Sequence, residues 1–365
     1  MERPLKVRLH ILSPVHIGCD DVYEPTCFVI DEEKRKLIVF DPLDFIKSLS
    51  PQDRQTFSAY CMQGNISSIV NIYKFMSRKQ VNGREIDVAS DLISHYTQVR
   101  NLPTNNEGKI RQELNKFSIY RTAYNPYNNM PYIPGSSIKG ALRTAYLSKL
   151  AKDNGISGRR DRAKDLEIEL LGGSFDKDPF RMMKVSDFLH VGNAKAKIVY
   201  ACNKKKRQSK FEARGPFQIL ESILDGTIFE GFINLNKPEQ TAGIKKSIEI
   251  SELLKAVHNF YESIVNEESK VSNEINASRI DVNRINEKFK DKLGKTVFLL
   301  RVGRHSGAEA VTIEGNRHIK IMQDRGQPPK FLDHATTLWL ASETRKPTTN
   351  IGLIPFGWTV MEIIQ

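Results

Sequence analysis

Three short stretches combine residue types and spacings that could hold an anion or move a proton. The first is Ile133-Pro134-Gly135-Ser136-Ser137-Ile138-Lys139-Gly140-Ala141-Leu142-Arg143. A glycine turn opens a helix there, so the first backbone N–H groups lack partners within the helix. Those groups and the helix dipole favour an anion. Lys139 and Arg143 are four residues apart and share a helix face. Cations oppose the dipole at a helix start, and a bound phosphate would account for their presence. The plainer reading makes Ser136 an N-cap and leaves Lys139 in solvent. No G-x-x-x-x-G-K-S/T pattern surrounds Lys139, so it is not a P-loop lysine.

The second stretch is Leu300-Arg301-Val302-Gly303-Arg304-His305-Ser306-Gly307-Ala308-Glu309. Gly303 and Gly307 let the backbone adopt positive φ and approach a ligand closely. With Arg301, Arg304 and His305 beside them, such a loop can cradle a phosphodiester backbone; it can equally be an ordinary turn between strands. The third is Ser13-Pro14-Val15-His16-Ile17-Gly18-Cys19-Asp20-Asp21. A histidine with an ordinary pKa near ~6.5 could serve as general acid or base on RNA, or it could pack within the loop. His16, Cys19, Asp20 and Asp21 could also be read as metal ligands, but no second ligand pair completes the set. Cys19, Cys27, Cys61 and Cys202 form no C-x-x-C pair, so neither a zinc site nor a disulfide scaffold is expected.

The charge balance points to a polyanionic partner. The chain has 365 residues, with Lys+Arg 55 and Asp+Glu 43, for a formal charge of +12. Much of the excess is local: Lys204, Lys205, Lys206, Arg207, Lys210 and Arg214 stand against Glu212 alone. That stretch reads as a basic loop, either gripping phosphates or merely solvated. Hydrophobic content of 39% and charged content of 27% fit a globular protein with a real core and exclude wholesale disorder. No apolar run reaches the ~18 residues of a membrane span, and the first residues lack the apolar core of a signal peptide. The expected compartment is the cytoplasm.

The elements that must position these stretches are a mixture of strands and helices. Leu5, Val7, Leu9 and Ile11 alternate with Lys6, Arg8 and His10, which predicts a half-buried strand ending at Ser13-Pro14. Residues 27–30 and 37–40 predict a hairpin with a charged loop. Asp41-Pro42 and Ser50-Pro51-Gln52-Asp53 are helix starts, opening a helical insertion at about 42–120. A helix is expected over 138–151, strands over 182–191 and 227–235, and a helical pair over 248–293. Arg159, Arg160 and Arg162 fall in a polar loop between residues 153 and 165. Strands with glycine turns fill 297–365. Unequal helices between strands indicate the α+β class.

Together the three stretches resemble the RAMP superfamily of CRISPR-associated proteins along nearly the whole chain. Val22-Tyr23-Glu24-Pro25, Arg304-His305-Ser306-Gly307 and Ile354-Pro355-Phe356-Gly357-Trp358 are similar, more narrowly, to the fifth Csm-type subunits of type III-A effector complexes. The resemblance implies ferredoxin-like (RRM-like) modules with helical insertions and Gly-rich loops. It places an N-terminal module at 1–190 and a second at 191–365, the latter holding the helical segment 248–293 and the loop 301–307. It also implies a non-catalytic crRNA-binding subunit that caps the assembly near the 3′ part of the guide and aids crRNA maturation in antiviral defence. Its neighbours would be the backbone RAMP subunit and the small helical subunit of the Csm complex, with target RNA as a further ligand. No metal or cofactor is expected.

By position, Ser136, Ser137 and Lys139 and the loop Arg301–Gly307 take an RNA-contact role from the resemblance, whereas Lys204–Arg207 rest on charge alone. The full set of candidate RNA contacts is His16, Gly135, Ser136, Ser137, Lys139, Arg143, Lys204, Lys205, Lys206, Arg207, Arg301, Gly303, Arg304, His305 and Gly307. There is no aromatic RNP1-type run, so binding is expected to be led by the phosphate backbone and sensitive to salt. An enzyme remains the alternative: a metal-independent endoribonuclease of guide precursors using His16 or His305. A protein-only scaffold is the second rival.

Overall fold

The structure is a computed structural model that describes residues 3–364, apart from 159–161, 208, 210–212, 214, 239–242, 245–246 and 324–325. The expectations for Arg159, Arg160, Lys210, Glu212 and Arg214 lie outside the described residues. Strands β1 (Leu5–Ile11), β2 (Gly18–Val22), β3 (Phe28–Asp31) and β4 (Lys36–Val39) come first. Helices α1 (Pro42–Ser48), α2 (Pro51–Met62) and α3 (Ile66–Met76) follow, then β5 (Arg84–Val88), α4 (Ser90–Arg100), α5 (Glu107–Lys116) and β6 (Ile119–Thr122). The middle of the chain holds α6 (Gly135–Asp153), α7 (Ala163–Leu171), β7 (Met183–Val185), β8 (Leu189–Val191), β9 (Ala196–Lys205), β10 (Gln218–Ile223) and β11 (Ile228–Leu235). The last part holds α8 (Ile250–Glu274), α9 (Val282–Lys288), β12 (Val297–Arg301), β13 (Ile319–Ile321), β14 (Lys330–Leu332), β15 (Thr337–Ser342), β16 (Ile354–Pro355) and β17 (Trp358–Ile363).

The alternation in β1 works as its sequence suggests. Val7, Leu9 and Ile11 are buried, while Arg8 pairs with Glu230 at 2.6 Å and His10 meets Glu362 at 2.9 Å on the two flanking strands. One sheet has the order β12-β17-β1-β11-β7, with β8 also on β11, and every pairing in it is antiparallel. Helices α6 and α8 cover its inner face, where Leu142, Leu147, Val257 and Phe260 pack with Leu9, Phe229 and Val360. The second sheet runs β2-β6-β10-β9-β5-β4-β3, with β15 alongside β9 and β16 on β15. Tyr73, Leu92, Tyr96 and Phe117 from the inserted helices pack on its Ile198, Tyr200 and Ile219. The helix starts are capped as expected: Asp41 accepts from the Leu43 N–H at 2.7 Å, and Ser50 from the Asp53 N–H at 3.1 Å.

The two sheets meet at the Ser13–Ile17 segment. Val15 and Ile223 exchange backbone hydrogen bonds at 2.9 and 2.8 Å, joining the end of β1 to the end of β10. Each sheet takes strands from both sides of residue 190, so a division there does not coincide with a sheet boundary. Three local expectations are revised. The insertion contains a strand, β5, which pairs with both β4 and β9. Residues 182–191 form two short strands, because the segment turns at Ser186–Phe188, where Phe188 pairs with Ile133. Lys204 and Lys205 are not in a loop: they end the long strand β9, opposite Leu338 and Thr337 of β15. Among the described residues no helix is long and apolar enough to cross a membrane.

Candidate nucleic-acid interface

The turn before α6 is fitted to the protein's own chain. A Cβ on Gly135 would sit 2.3 Å from the Val185 carbonyl oxygen, so only glycine lets the helix start so close to β7. The Gly135 N–H donates to the Asp187 carboxylate at 2.9 Å, which places an internal anion at the helix start. Ser137 N–H donates to the Pro134 carbonyl, and Ser136 is exposed. Lys139 reaches the Met183 carbonyl at 2.8 Å; burial, with Lys184 nearby, pulls its ammonium below the usual lysine range. Arg143 is held from two sides, by Glu167 at 2.6 Å and Asp178 at 2.7 Å, with its guanidinium over the Phe180 ring. The two cations of this turn thus have carboxylate and carbonyl partners from residues 167–183 in place of a phosphate.

The loop after β12 closes against the Ser13–Gly18 segment. The Arg304 N–H donates to the His16 carbonyl at 2.8 Å, and Gly357 N–H to that of Pro14 at 2.9 Å. Gly303 has φ of +87°, and a Cβ there would lie 2.5 Å from the His16 carbonyl oxygen, so this glycine serves backbone contact within the protein. Arg301 is 3% exposed: its Nε donates to the Phe356 carbonyl, and its Nη1 pairs with Glu268, which also accepts from the Trp358 indole at 2.7 Å. Gly307 has φ of +81°, and a Cβ there would lie 3.6 Å from both Arg301 and Glu309. Arg304 alone among the cations of this loop is exposed, with its guanidinium 5.6 Å from the Tyr120 ring centre.

His16 is built into the interior, and His305 is half-buried. His16 is 1% exposed, with Nδ1 2.8 Å from the Glu221 carbonyl. Burial, with a further push from Arg304, pulls its imidazole down to about 4. His305 has φ of +66°, meets the Gln218 amide oxygen at 2.9 Å and lies against Trp339 with ring centres 4.4 Å apart. Burial, then Arg304 and His16, brings it to about 3. Both rings are therefore neutral at pH 7. Cys19 is exposed and Asp20 has φ of +61°; among the described residues no group of three or more His, Cys, Asp or Glu side chains is placed to hold a metal ion.

The outer end of β9 separates two hollows. Toward α8 lies one of about 1180 Å³, where Glu267, Glu268, Glu274 and Glu309 accompany the cations. Lys206 points there and pairs with Glu309 at 2.5 Å. Burial opposes ionisation of that carboxyl, yet Lys206 and the Ala335 N–H hold it below the usual carboxylate range. Lys204 turns to the other side, where its ammonium meets the Pro347 carbonyl at 3.1 Å. Lys205 bonds the Ser209 hydroxyl at 3.0 Å, and Arg207 is exposed.

A model of the RAMP superfamily matches residues 8–308. The chain belongs to that superfamily. Curated proteins named Csm5 resemble it further: that of Methanocaldococcus jannaschii is 25% identical across 99% of this chain and 89% of its own. The Csm5 of Streptococcus thermophilus is 30% identical over 44% of this chain and 42% of its own. Among solved structures, a chain of a type III-A Csm–crRNA–target RNA ternary complex superposes with a TM-score of 0.60. It is 17% identical, and the match covers 99% of this chain and 100% of that one. The crystal structure of T. onnurineus Csm5 gives 0.55 at 16% identity, covering 97% and 99%. The fold is thus matched over nearly the whole chain.

Within this RAMP fold, the structure brings His16, Gly303, Arg304 and His305 together at the junction of the sheets. The turn Gly135–Arg143 packs on β7, and Lys204–Arg207 stand at the end of β9. Sequence reasoning missed Glu167, Asp178, Asp187, Glu268 and Glu309, the carboxylates that engage the candidate N–H and cations. It also passed over Arg345-Lys346, two adjacent cations before Pro347, a signal that was there to be read.

Proposed function

We propose that this chain is the crRNA-binding, capping subunit of a type III-A CRISPR (Csm) effector complex. It sits near the 3′ part of the guide, beside the backbone RAMP subunit and the small helical subunit, and aids crRNA maturation without chemistry of its own. The observation that carries this is the end-to-end fold match to a chain from a Csm–crRNA–target RNA complex, joined to the Csm5 resemblance along the sequence. We also read the first sheet as a ferredoxin-like module: β1, α6, β7, β11, α8 and β17 run β-α-β-β-α-β, with the antiparallel order β17-β1-β11-β7.

RNA contact falls to exposed or uncompensated cations: Arg304 near the sheet junction, and Lys204 and Arg207 at the end of β9, with Lys205 and Ser136 adding donors. Arg143, Arg301 and Lys206 hold the fold through ion pairs, Gly135 and Gly303 let segments of the chain approach one another, and Gly307 supplies a positive φ. Binding is backbone-led, and base pairing by the guide carries sequence specificity. Neutral His16 and His305 are poor general acids at pH 7, which favours the binding subunit over the endoribonuclease.

The test is reconstitution of the complex with and without this chain, reading crRNA length and retention. The proposal expects shorter retention of the guide's 3′ part, or immature guides, when the chain is absent. Unchanged guides in complexes lacking it would overturn the reading. Discrete RNA products from the purified chain in EDTA, lost on His16→Ala or His305→Ala, would move the enzyme to first place.

A further inference from the structure

The segment after β15 is pinned across the outer end of β9. The Arg345 guanidinium grips Asp91 through Nε at 2.9 Å and Nη2 at 3.1 Å, and its backbone N–H adds a third bond to that carboxylate at 3.0 Å. Farther along, the Asn350 amide donates to the Ile275 carbonyl at 2.9 Å. Lys204 bonds the Pro347 carbonyl between these anchors. A groove of about 1050 Å³ lies between the segment and β9, lined by Lys204, Arg207, Lys346, Phe217 and Thr349 among others.

The charge in this groove is unbalanced. Arg345 and Lys116 also line it, but Asp91 and Glu113 neutralise them. Lys204, Arg207 and Lys346 make no ion pair among the described residues, and a carbonyl partner leaves the Lys204 charge uncompensated. Among the described residues Glu274 is the one carboxylate lining the groove, against four in the hollow toward α8. Three cations lining one groove suit a chain with charge at regular intervals.

We infer that this groove holds one RNA strand by its phosphates, with Lys204, Arg207 and Lys346 as the contacting cations. The inference rests on the RNA-binding reading above and extends it to a wall of the site, residues 345–350, that no motif marks. Thr349 adds a neutral donor beside the strand. Arg345 is a positioning residue, since its clamp on Asp91 sets where Lys346 stands.

The experiment is fluorescence anisotropy with the full chain and a labelled single-stranded RNA, across a salt series. Each phosphate contact on a single strand contributes about 0.7 to the slope of log affinity against log salt. Lys204→Ala/Lys346→Ala should therefore flatten the slope by about 1.4 and weaken binding roughly tenfold near ~0.1 M salt. Lys346→Glu alone leaves the Lys204–Pro347 bond in place and should weaken binding with an unchanged thermal melt, which separates lost contact from misfolding. Wild-type binding with the same slope in both variants overturns the groove and leaves the wider function standing. No salt-dependent binding by the wild type counts against the wider function, and this inference falls with it. Unchanged RNA slopes together with lost incorporation into the complex would assign the groove to an acidic protein partner and overturn the RNA strand.

Discussion

The turn Gly135–Arg143 and the outer end of β9 carry the same kinds of residue and meet opposite surroundings. In the turn, Asp187 occupies the Gly135 N–H, and Glu167 with Asp178 holds Arg143. At the end of β9, Lys206 finds Glu309, but Lys204 meets only a carbonyl. Arg301 repeats the first pattern with Glu268, and exposed Arg304 repeats the second. A cation's availability to a ligand is thus decided by whether a distant carboxylate folds onto it. Paired cations are tied to the scaffold, and uncompensated ones stay available to a phosphate ligand.

The largest effect that could break this contrast is on the paired side. Glu268→Ala leaves the Arg301 guanidinium buried without its counter-ion and the Trp358 indole without its acceptor. Loss of a buried partner costs about 3–5 kcal/mol, so the urea midpoint should fall sharply. A midpoint close to that of the wild type would show that the Arg301 pair does not hold the fold.

Acid should expose the same interior. His16 has its folded pKa lowered to about 4 from an unfolded value near 6.5, so the unfolded chain takes up the proton first as pH falls. Stability is complete above the unfolded pKa and declines below it, levelling off once pH passes through the folded value. His16 alone should remove roughly 2 kcal/mol between about pH 7 and pH 5. His305, brought to about 3, adds a loss in the same direction. His16→Asn, whose amide can still donate to the Glu221 carbonyl, should flatten the dependence; an equal pH slope would exclude His16 as its source.

A smaller effect sharpens the comparison. Asp187→Ala removes the anion from the start of α6 and should cost about 1 kcal/mol, as losing a cap does. RNA affinity should stay the same. A gain in RNA affinity would mean that phosphate takes the vacated N–H, and that the turn is a binding site after all. Smallest in stability is Arg304→Ala, which should stay within about 0.5 kcal/mol of the wild type in a thermal melt. It should nonetheless flatten the salt dependence of RNA binding by about 0.7.

Local pattern made part of this legible. The alternation of Leu5–Ile11, the caps at Asp41 and Ser50 and the amphipathic helix α8 are written in neighbouring residues, and each is present. Strand β9 was hidden because Ile198–Cys202 is buried without alternation and then runs directly into lysines that resemble a loop. Strand β10 was hidden because Glu221 and Ser222 are buried in it, a placement made tolerable for Glu221 by Arg84 at 2.7 Å, 137 residues away in sequence. At the candidate site, the glycines were recognised as points of close approach, but what approaches is backbone: Val185 at Gly135 and His16 at Gly303. Spacing along the chain carries no information about Asp187, Glu268 or Glu309, since only tertiary packing brings them to the cations.

The most direct test of the central claim is a salt titration of single-stranded RNA binding by the full chain and by Lys204→Ala/Arg207→Ala/Arg304→Ala. Removing three uncompensated cations should flatten the slope of log affinity against log salt by about 2 and leave the thermal melt in place. A slope equal to that of the wild type, with the fold intact, would contradict the claim that the uncompensated cations, and not the paired ones, hold the RNA.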